Sequence, residues 1–248
     1  MASSSASAAS VSVPRAAVCV VGNEVLSGKT QDTNTHFIAQ LMFRRGVDLV
    51  RAVVIPDELE TIAETVKQLS ELVGPDGYAK AFGRGVELHQ PTLDALTDAL
   101  VQHGRLPTDV NDDMKRMAIL PAGCRVLSTG SWVPLAVVHN VYVLPGIPRL
   151  VREMLEYNEE QFRGVPIHRV IIHTLTWEGE LASAIKAIQK AHPGVAIGSY
   201  VNLSGDKTGT RDDSYNTRLT LDGRDAEEVE LVAQEIMTAT NGFRINKL

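Results

Sequence analysis

A loop between an apolar run and a helix carries the first set of residues that could perform chemistry. The candidate residues of this loop are Gly22, Asn23, Glu24, Gly28, Asp32, Thr33 and Asn34. Free backbone amides and the dipole at a helix N-terminus favour a bound phosphate, and the carboxylate of Glu24 could ligate Mg²⁺ or orient a water molecule. A local alternative is that Asp32 or Asn34 caps the helix, while Gly22 and Gly28 shape a turn.

A second candidate position, Asp57, follows directly after a predicted strand. Aspartate is a favourable helix N-cap, and Glu60, three residues later, would complete a capping box. The sequence therefore predicts that a helix opens at this aspartate.

A third group, Pro145, Gly146 and Pro148, stands where a predicted strand ends and a helix begins. Ligands of open α/β sheets lie at the carboxyl ends of the strands, and Gly146 would let a ligand approach the backbone closely. The alternative is a rigid turn that contacts no ligand.

Strands and helices alternate in the part of the chain that positions these loops. The predicted elements are a buried parallel strand at 16–22, a helix at 36–46, a strand at 47–56, a helix from 57 to 73, helices at 78–83, 91–104 and 149–162, and strands at 124–128, 133–139 and 141–146. This rhythm is typical of a parallel α/β sheet. We therefore predict one α/β domain over residues 16–165, preceded by a disordered tail over 1–15.

A simpler pattern follows the sequence Gly164-Val165-Pro166, which suits a domain boundary. Strands are predicted at 168–176, 195–200 and 215–221, with helices at 180–194 and 226–239. The order β-α-β-β-α predicts a small α+β domain over residues 166–248.

The composition is that of a globular chain of 248 residues with a formal charge of −6. An acidic balance argues against nucleic acid or a membrane surface as a partner. Two cysteines cannot form a disulfide framework, so a reducing compartment is expected. The Ser/Ala-rich start is interpreted as the tail of a cytoplasmic protein, and the stub of an organelle transit peptide is the alternative.

Several long motifs in this chain resemble one protein family. They are VGNEVLSGKTQDTNTHFIAQ, PDE after the second strand, AKAFGR, VYVLPGIP, IGSY and YNTRLTLDGRD. In this order they resemble the CinA-like proteins and the N-terminal half of eukaryotic FAD synthases, which share the molybdopterin-binding (MoaB/Mog-type) fold. The resemblance runs from Ala16 to about Phe243. It implies a three-layer α/β fold built on a parallel sheet, followed by the small α+β domain.

The resemblance also implies an activity and a partner. Such proteins hydrolyse pyrophosphate bonds of FAD or ADP-ribose with Mg²⁺ or another divalent metal, or bind a pterin. It implies catalytic and metal-binding roles for Glu24 and Asp57, and self-association into a homo-oligomer. Asn23 stands where the family commonly has Asp, which removes a charge from the loop. Adenylyl transfer and deamidation belong to further C-terminal domains of these proteins, so neither is expected of these 248 residues.

The strongest family motif, a strand and a glycine-rich loop of the form TSGGIGPTHDDVT, is missing. This chain instead has SELVGPDGYAKAFG between the second helix and the following segment. The glycine amides of that motif would bind phosphate, and its His and Asp would supply metal ligands or a base. We therefore predict a sheet that lacks an interior strand and a nucleotide pyrophosphatase with impaired activity. The alternatives are a binding protein without turnover, a truncated isoform and a gene-model artefact.

Overall fold

The structure, a computed structural model, describes residues 12–73, 85–203 and 212–245. The chain divides into two units, Met1–Gly164 and Val165–Leu248. Most of the predicted N-terminal tail, the helix predicted at 78–83 and the segment that replaces the glycine-rich loop lie outside the described residues. In the described part of the chain, no helix is long and apolar enough to cross a membrane.

The first unit alternates strands and helices in its N-terminal part, as predicted. Its elements are β1 (Arg15–Val21), α1 (Asn23–Leu26), α2 (Asn34–Arg44), β2 (Asp48–Ile55), α3 (Leu59–Val73), β3 (Val86–Leu88), α4 (Gln90–Gln102), α5 (Asp112–Lys115), β4 (Ile119–Pro121), β5 (Arg125–Leu127), β6 (Leu135–Val138), β7 (Val141–Val143) and α6 (Pro148–Tyr157). The α/β class that the alternation predicts is confirmed.

Parallel pairing among the described residues is confined to β1 and β2. The strands β5, β6 and β7 form an antiparallel sheet, and β3 pairs with β4. A two-residue link with His139 at φ 54° joins β6 to β7, and so short a link permits only an antiparallel pair. With one described neighbour, β1 is less buried than a fully interior strand, and Val18 is its buried residue.

The core of the first unit fixes α2 against α6. Leu41 is completely buried and packs with Phe37 of the same helix and with Val151 and Leu155 of α6. Burial of each such side chain stabilises the folded state by about 1.5–3 kcal/mol. Because both helices start at candidate loops, this packing sets where those loops lie.

The second unit is a four-stranded antiparallel sheet with two helices on one face. Its elements are β8 (His168–Thr174), α7 (Glu178–Ala191), β9 (Val195–Val201), β10 (Thr217–Gly223), α8 (Ala226–Thr240) and β11 (Phe243–Ile245), in the sheet order β11-β8-β10-β9. The sequence pattern missed β11, since three residues are too few to show alternation and pairing with β8 defines the strand. The result is a β-α-β-β-α-β, ferredoxin-like arrangement.

Candidate functional site

The loop after β1 begins with one helical turn, which the sequence pattern did not predict. The carbonyl of Gly22 accepts hydrogen bonds from the amides of Val25 and Leu26, both at 3.2 Å, and opens α1. Gly28 ends the turn at φ +72°, a conformation that favours glycine, and its amide donates to the Val25 carbonyl. The turn-shaping role of these two glycines is therefore what the structure shows.

The carboxylate of Glu24 folds back over Gly22. A Cβ atom added to Gly22 would lie 2.8 Å from Glu24 Oε1. The side chain of Glu24 is exposed and makes no hydrogen bond to another described residue. Glu24 is thus free to accept a hydrogen bond or to contact a cation from solvent.

The ends of β1 and β2 meet through Asn23 and Asp57. The Asp57 amide donates to Asn23 Oδ1 at 3.4 Å, beside a hydrogen bond of 3.1 Å from the Gly22 amide to the Ile55 carbonyl. The loop predicted to bind a ligand therefore contacts the second candidate segment, 34 residues away in the sequence.

The predicted capping role of Asp57 is wrong. The first hydrogen bond of α3 runs from the Ile62 amide to the Glu58 carbonyl, so the cap is one residue later. The physical reason is a turn at Pro56, whose carbonyl accepts from the Glu58 amide while Asn23 holds the Asp57 amide. The carboxylate of Asp57 is left exposed and without a hydrogen bond to the described residues.

The N-terminus of α2, in contrast, is occupied by the chain itself. Asp32 Oδ1 accepts hydrogen bonds from the amides of Asn34 and Thr35, both at 3.0 Å. Thr33 contributes its carbonyl to the Phe37 amide and makes no side-chain cap. The local alternative for Asp32 therefore holds, because its carboxylate already satisfies two amides that a phosphate would need.

The third candidate segment lies beside the start of α2. Asn34 Nδ2 donates to the Gly146 carbonyl at 3.3 Å, across 112 residues of sequence. The turn leads into α6, whose N-cap, Ile147, offers no side-chain cap, and Pro148 is its first residue. A Cβ atom added to Gly146 would meet nothing within 4 Å, so the space beside this glycine is open.

The structure therefore joins all three predicted segments by two side-chain hydrogen bonds. Among the described residues, it does not place a third possible metal ligand beside Glu24 and Asp57. Among residues 12–73, 85–203 and 212–245, no group of three or more His, Cys, Asp or Glu side chains could hold a metal ion.

Three exposed apolar side chains flank the site, and the sequence pattern did not identify them as part of it. Leu26, Leu59 and Ile147 are 53%, 88% and 57% exposed, and each adjoins one candidate segment. Leu59 keeps helical spacing with the later apolar residues of α3, but it is the first residue of that helix, whose first buried residue is Leu69. In the sequence, each of these apolar residues stands within two positions of a candidate residue.

The capping carboxylate gives a stability prediction. Replacing Asp32 with Ala leaves the Asn34 and Thr35 amides without their partner and should lower the free energy of unfolding by about 1 kcal/mol. Urea denaturation of the full chain measures this change. Asp32→Asn, which keeps the accepting oxygen, should lose less than Asp32→Ala. Equal losses in the two variants contradict a capping role.

Two family descriptions match the two units. "Probable molybdopterin binding domain" matches residues 17–162, and "FAD synthase, middle domain" matches residues 166–247.

The chain is also similar to curated proteins and to a solved structure. A protein of Aeropyrum pernix is 30% identical over 214 residues, which cover 75% of this chain and 79% of that protein. A CinA-like protein of Citrifermentans bemidjiense is 31% identical over 163 residues, and the match covers 57% of this chain but only 39% of that relative. The crystal structure of CinA from Thermoplasma acidophilum, a protein described with unknown function, aligns with a TM-score of 0.50 at 24% identity and covers 60% of this chain and 98% of that one. This last likeness supports the fold.

Proposed function

Because this chain belongs to the molybdopterin-binding-domain family, with CinA-like relatives, we propose that its first unit binds a phosphorylated pterin or a nucleotide and hydrolyses pyrophosphate bonds weakly. The observation that carries the proposal is the joining of three strand-end segments by the bonds Asn23–Asp57 and Asn34–Gly146. Ligands of α/β sheets bind at such strand ends.

The turn at 145–148 is the better place for a phosphate. The amides that follow Pro148 have no intrahelical partner, and the space beside Gly146 is open. At α2, the negative charge of Asp32 opposes a phosphate at the same amides. The exposed side chains of Leu26 and Leu59 offer apolar contact to the flat ring of a pterin or a nucleobase.

Weak hydrolysis follows from the carboxylates that are present. Glu24 and Asp57 are both exposed, and Asn23 brings no charge to the loop. Two exposed carboxylates do not fit a tightly held divalent metal ion, because such sites in phosphate chemistry need more ligands and exclude water. We propose Mg²⁺ or another divalent ion and a homo-oligomer by resemblance, and a cytoplasmic location from the Ser/Ala-rich N-terminus and the two cysteines.

The binding proposal predicts a selective effect at Gly146. Gly146→Val fills the open space and should weaken the binding of ADP-ribose or FAD about tenfold or more, which is about 1.4 kcal/mol. Isothermal calorimetry on the full chain measures the affinity. Gly85→Val is the matched control, since its Cβ position is equally free and its carbonyl accepts from the Ala122 amide, outside the three candidate segments.

Two results contradict the proposal in different ways. Equal affinity in the chain and in Gly146→Val removes the assigned binding site. Turnover of FAD or ADP-ribose at about 1 s⁻¹ or faster with Mg²⁺, Mn²⁺ or Co²⁺ shows that catalysis is intact, because this is the range of ordinary enzymes.

A further inference from the structure

The sheet of the second unit carries a row of side chains on the face opposite its helices. Core residues of β8 and β10, such as Ile172 and Leu219, point toward α7 and α8, so the alternate positions lie on the outer face. The strand register places one such position from each strand side by side. This outer row consists of Phe243, His173, Arg218 and Tyr200, in the order β11-β8-β10-β9.

Aromatic contacts hold the outer row in place. The His173 imidazole stacks on the Tyr215 ring with centroids 3.7 Å apart and planes 25° apart, and Phe243 meets His173 edge-on at 6.1 Å. The Tyr200 ring lies over Gly198, because a Cβ atom added to that glycine would be 3.0 Å from a ring carbon of Tyr200. Tyr200 nevertheless remains 53% exposed, so part of its ring is accessible.

One positive charge of the row has no carboxylate partner among the described residues. It belongs to Arg218, whose guanidinium lies over the Tyr200 ring, 5.8 Å from the ring centroid. Arg169, on the same face, is neutralised by two hydrogen bonds of 2.6 and 2.7 Å to Asp222. Burial and the charge of Arg218 lower the pKa of His173, which favours a neutral ring that can stack.

We propose that the outer row is a second ligand site, which binds a mononucleotide with its base stacked on Tyr200 and its phosphate on Arg218. Stacking on an aromatic side chain accepts any base, and a guanidinium recognises phosphate by paired hydrogen bonds. The charge of the row matches one phosphate. A nucleic-acid strand requires several cations in succession. Among the described residues of this face, Arg169 is a second cation, and its ion pair with Asp222 neutralises it.

The test uses AMP and the full chain, with a readout local to each unit. Proton NMR of the imidazoles separates His173, in the outer row, from His36, one turn into α2 of the first unit. Addition of AMP should shift the His173 signal, and His173→Gln identifies that signal. If AMP shifts the His36 signal but not the His173 signal, binding is at the first unit alone, and this proposal is overturned.

Paired variants separate stacking from charge. Tyr200→Leu should weaken the response of His173 to AMP about tenfold, whereas Tyr200→Phe should retain it. Arg218→Gln should weaken the response to AMP but leave the response to adenosine, which has no phosphate, and Arg218→Lys should restore part of the loss.

Three outcomes overturn the site. The first is no shift of His173 at millimolar AMP. The second is sedimentation in which Tyr200→Leu dissociates a dimer while AMP has no effect, which assigns the face to a second copy of the chain. The third is tighter binding of single-stranded oligonucleotides with a steep dependence on salt, which assigns it to nucleic acid.

Discussion

Inserting the family's strand and glycine-rich loop after Val73 should raise the hydrolysis of FAD or ADP-ribose by at least about 100-fold. The inserted amides would stabilise charge on the reacting phosphate, and removing even one such donor in an enzyme typically costs about 100- to 1,000-fold in rate. The His and Asp of the loop would join Glu24 and Asp57 as metal ligands. These two carboxylates are exposed, and no third possible metal ligand accompanies them among the described residues. The hydrolysis rate is measured at saturating substrate, with chromatography to quantify the phosphate-containing products over time.

A length-matched insertion provides the control for this experiment. In the control, the glycine pair, the His and the Asp of the inserted loop are all alanine, so the strand is restored without its chemistry. The active insertion should exceed this control, and the control should match the unaltered chain in rate. Equal rates for the unaltered chain and the active insertion refute the assignment of the site to these loops.

A large loss of stability is expected from Gly164→Ala. An added Cβ atom would lie 2.0 Å from the Gly46 carbonyl oxygen and 2.8 Å from the Val47 nitrogen, and both are backbone atoms that cannot turn aside. The Gly164 amide also donates to the Arg45 carbonyl at 2.9 Å, so the segment cannot retreat without breaking that bond. The substitution should lower the free energy of unfolding by about 3 kcal/mol or more.

The melting temperature reports this loss, and about 3 kcal/mol corresponds to about 10 °C for a chain of this size. Gly85→Ala introduces the same methyl group in the same unit, where a Cβ meets nothing within 4 Å, and should leave the melting temperature nearly unchanged. If Gly164→Ala and Gly85→Ala melt together, the close approach of Gly164 to the end of α2 is not present in solution.

Element types followed from the sequence wherever a long periodic segment gave a clear signal. The helix α8 has its predicted limits within one residue, since Asp225 caps it and its apolar residues recur at helical spacing. The strands β3 and β11 did not follow, because each has only three residues and is defined by pairing with its partner strand. The parallel sheet was predicted too broadly, because strands such as β6 and β7 give the same apolar signal in either direction.

The candidate residues show the same division between local and distant information. Capping by Asp32 was one of two local alternatives, and the hydrogen bond from the Asn34 amide to Asp32 Oδ1 decides for it. The N-cap at Asp57 was wrong because a turn at Pro56 delays the first hydrogen bond of α3 to the Glu58 carbonyl. The exposure of Leu59 was also unpredictable from spacing, since a helical pattern does not say at which turn burial begins.

By itself, the sequence determined the order of most helices and strands, the α/β class of the first unit and the motifs of the family. These properties depend on neighbours a few residues apart, which is the range over which periodicity, capping and turn preferences act. Only the tertiary structure decided that Asn34 meets Gly146 across 112 residues, and that the outer row gathers one side chain from each of four strands. Such meetings depend on how distant segments pack and pair, and this information is not contained in the local spacing of residues.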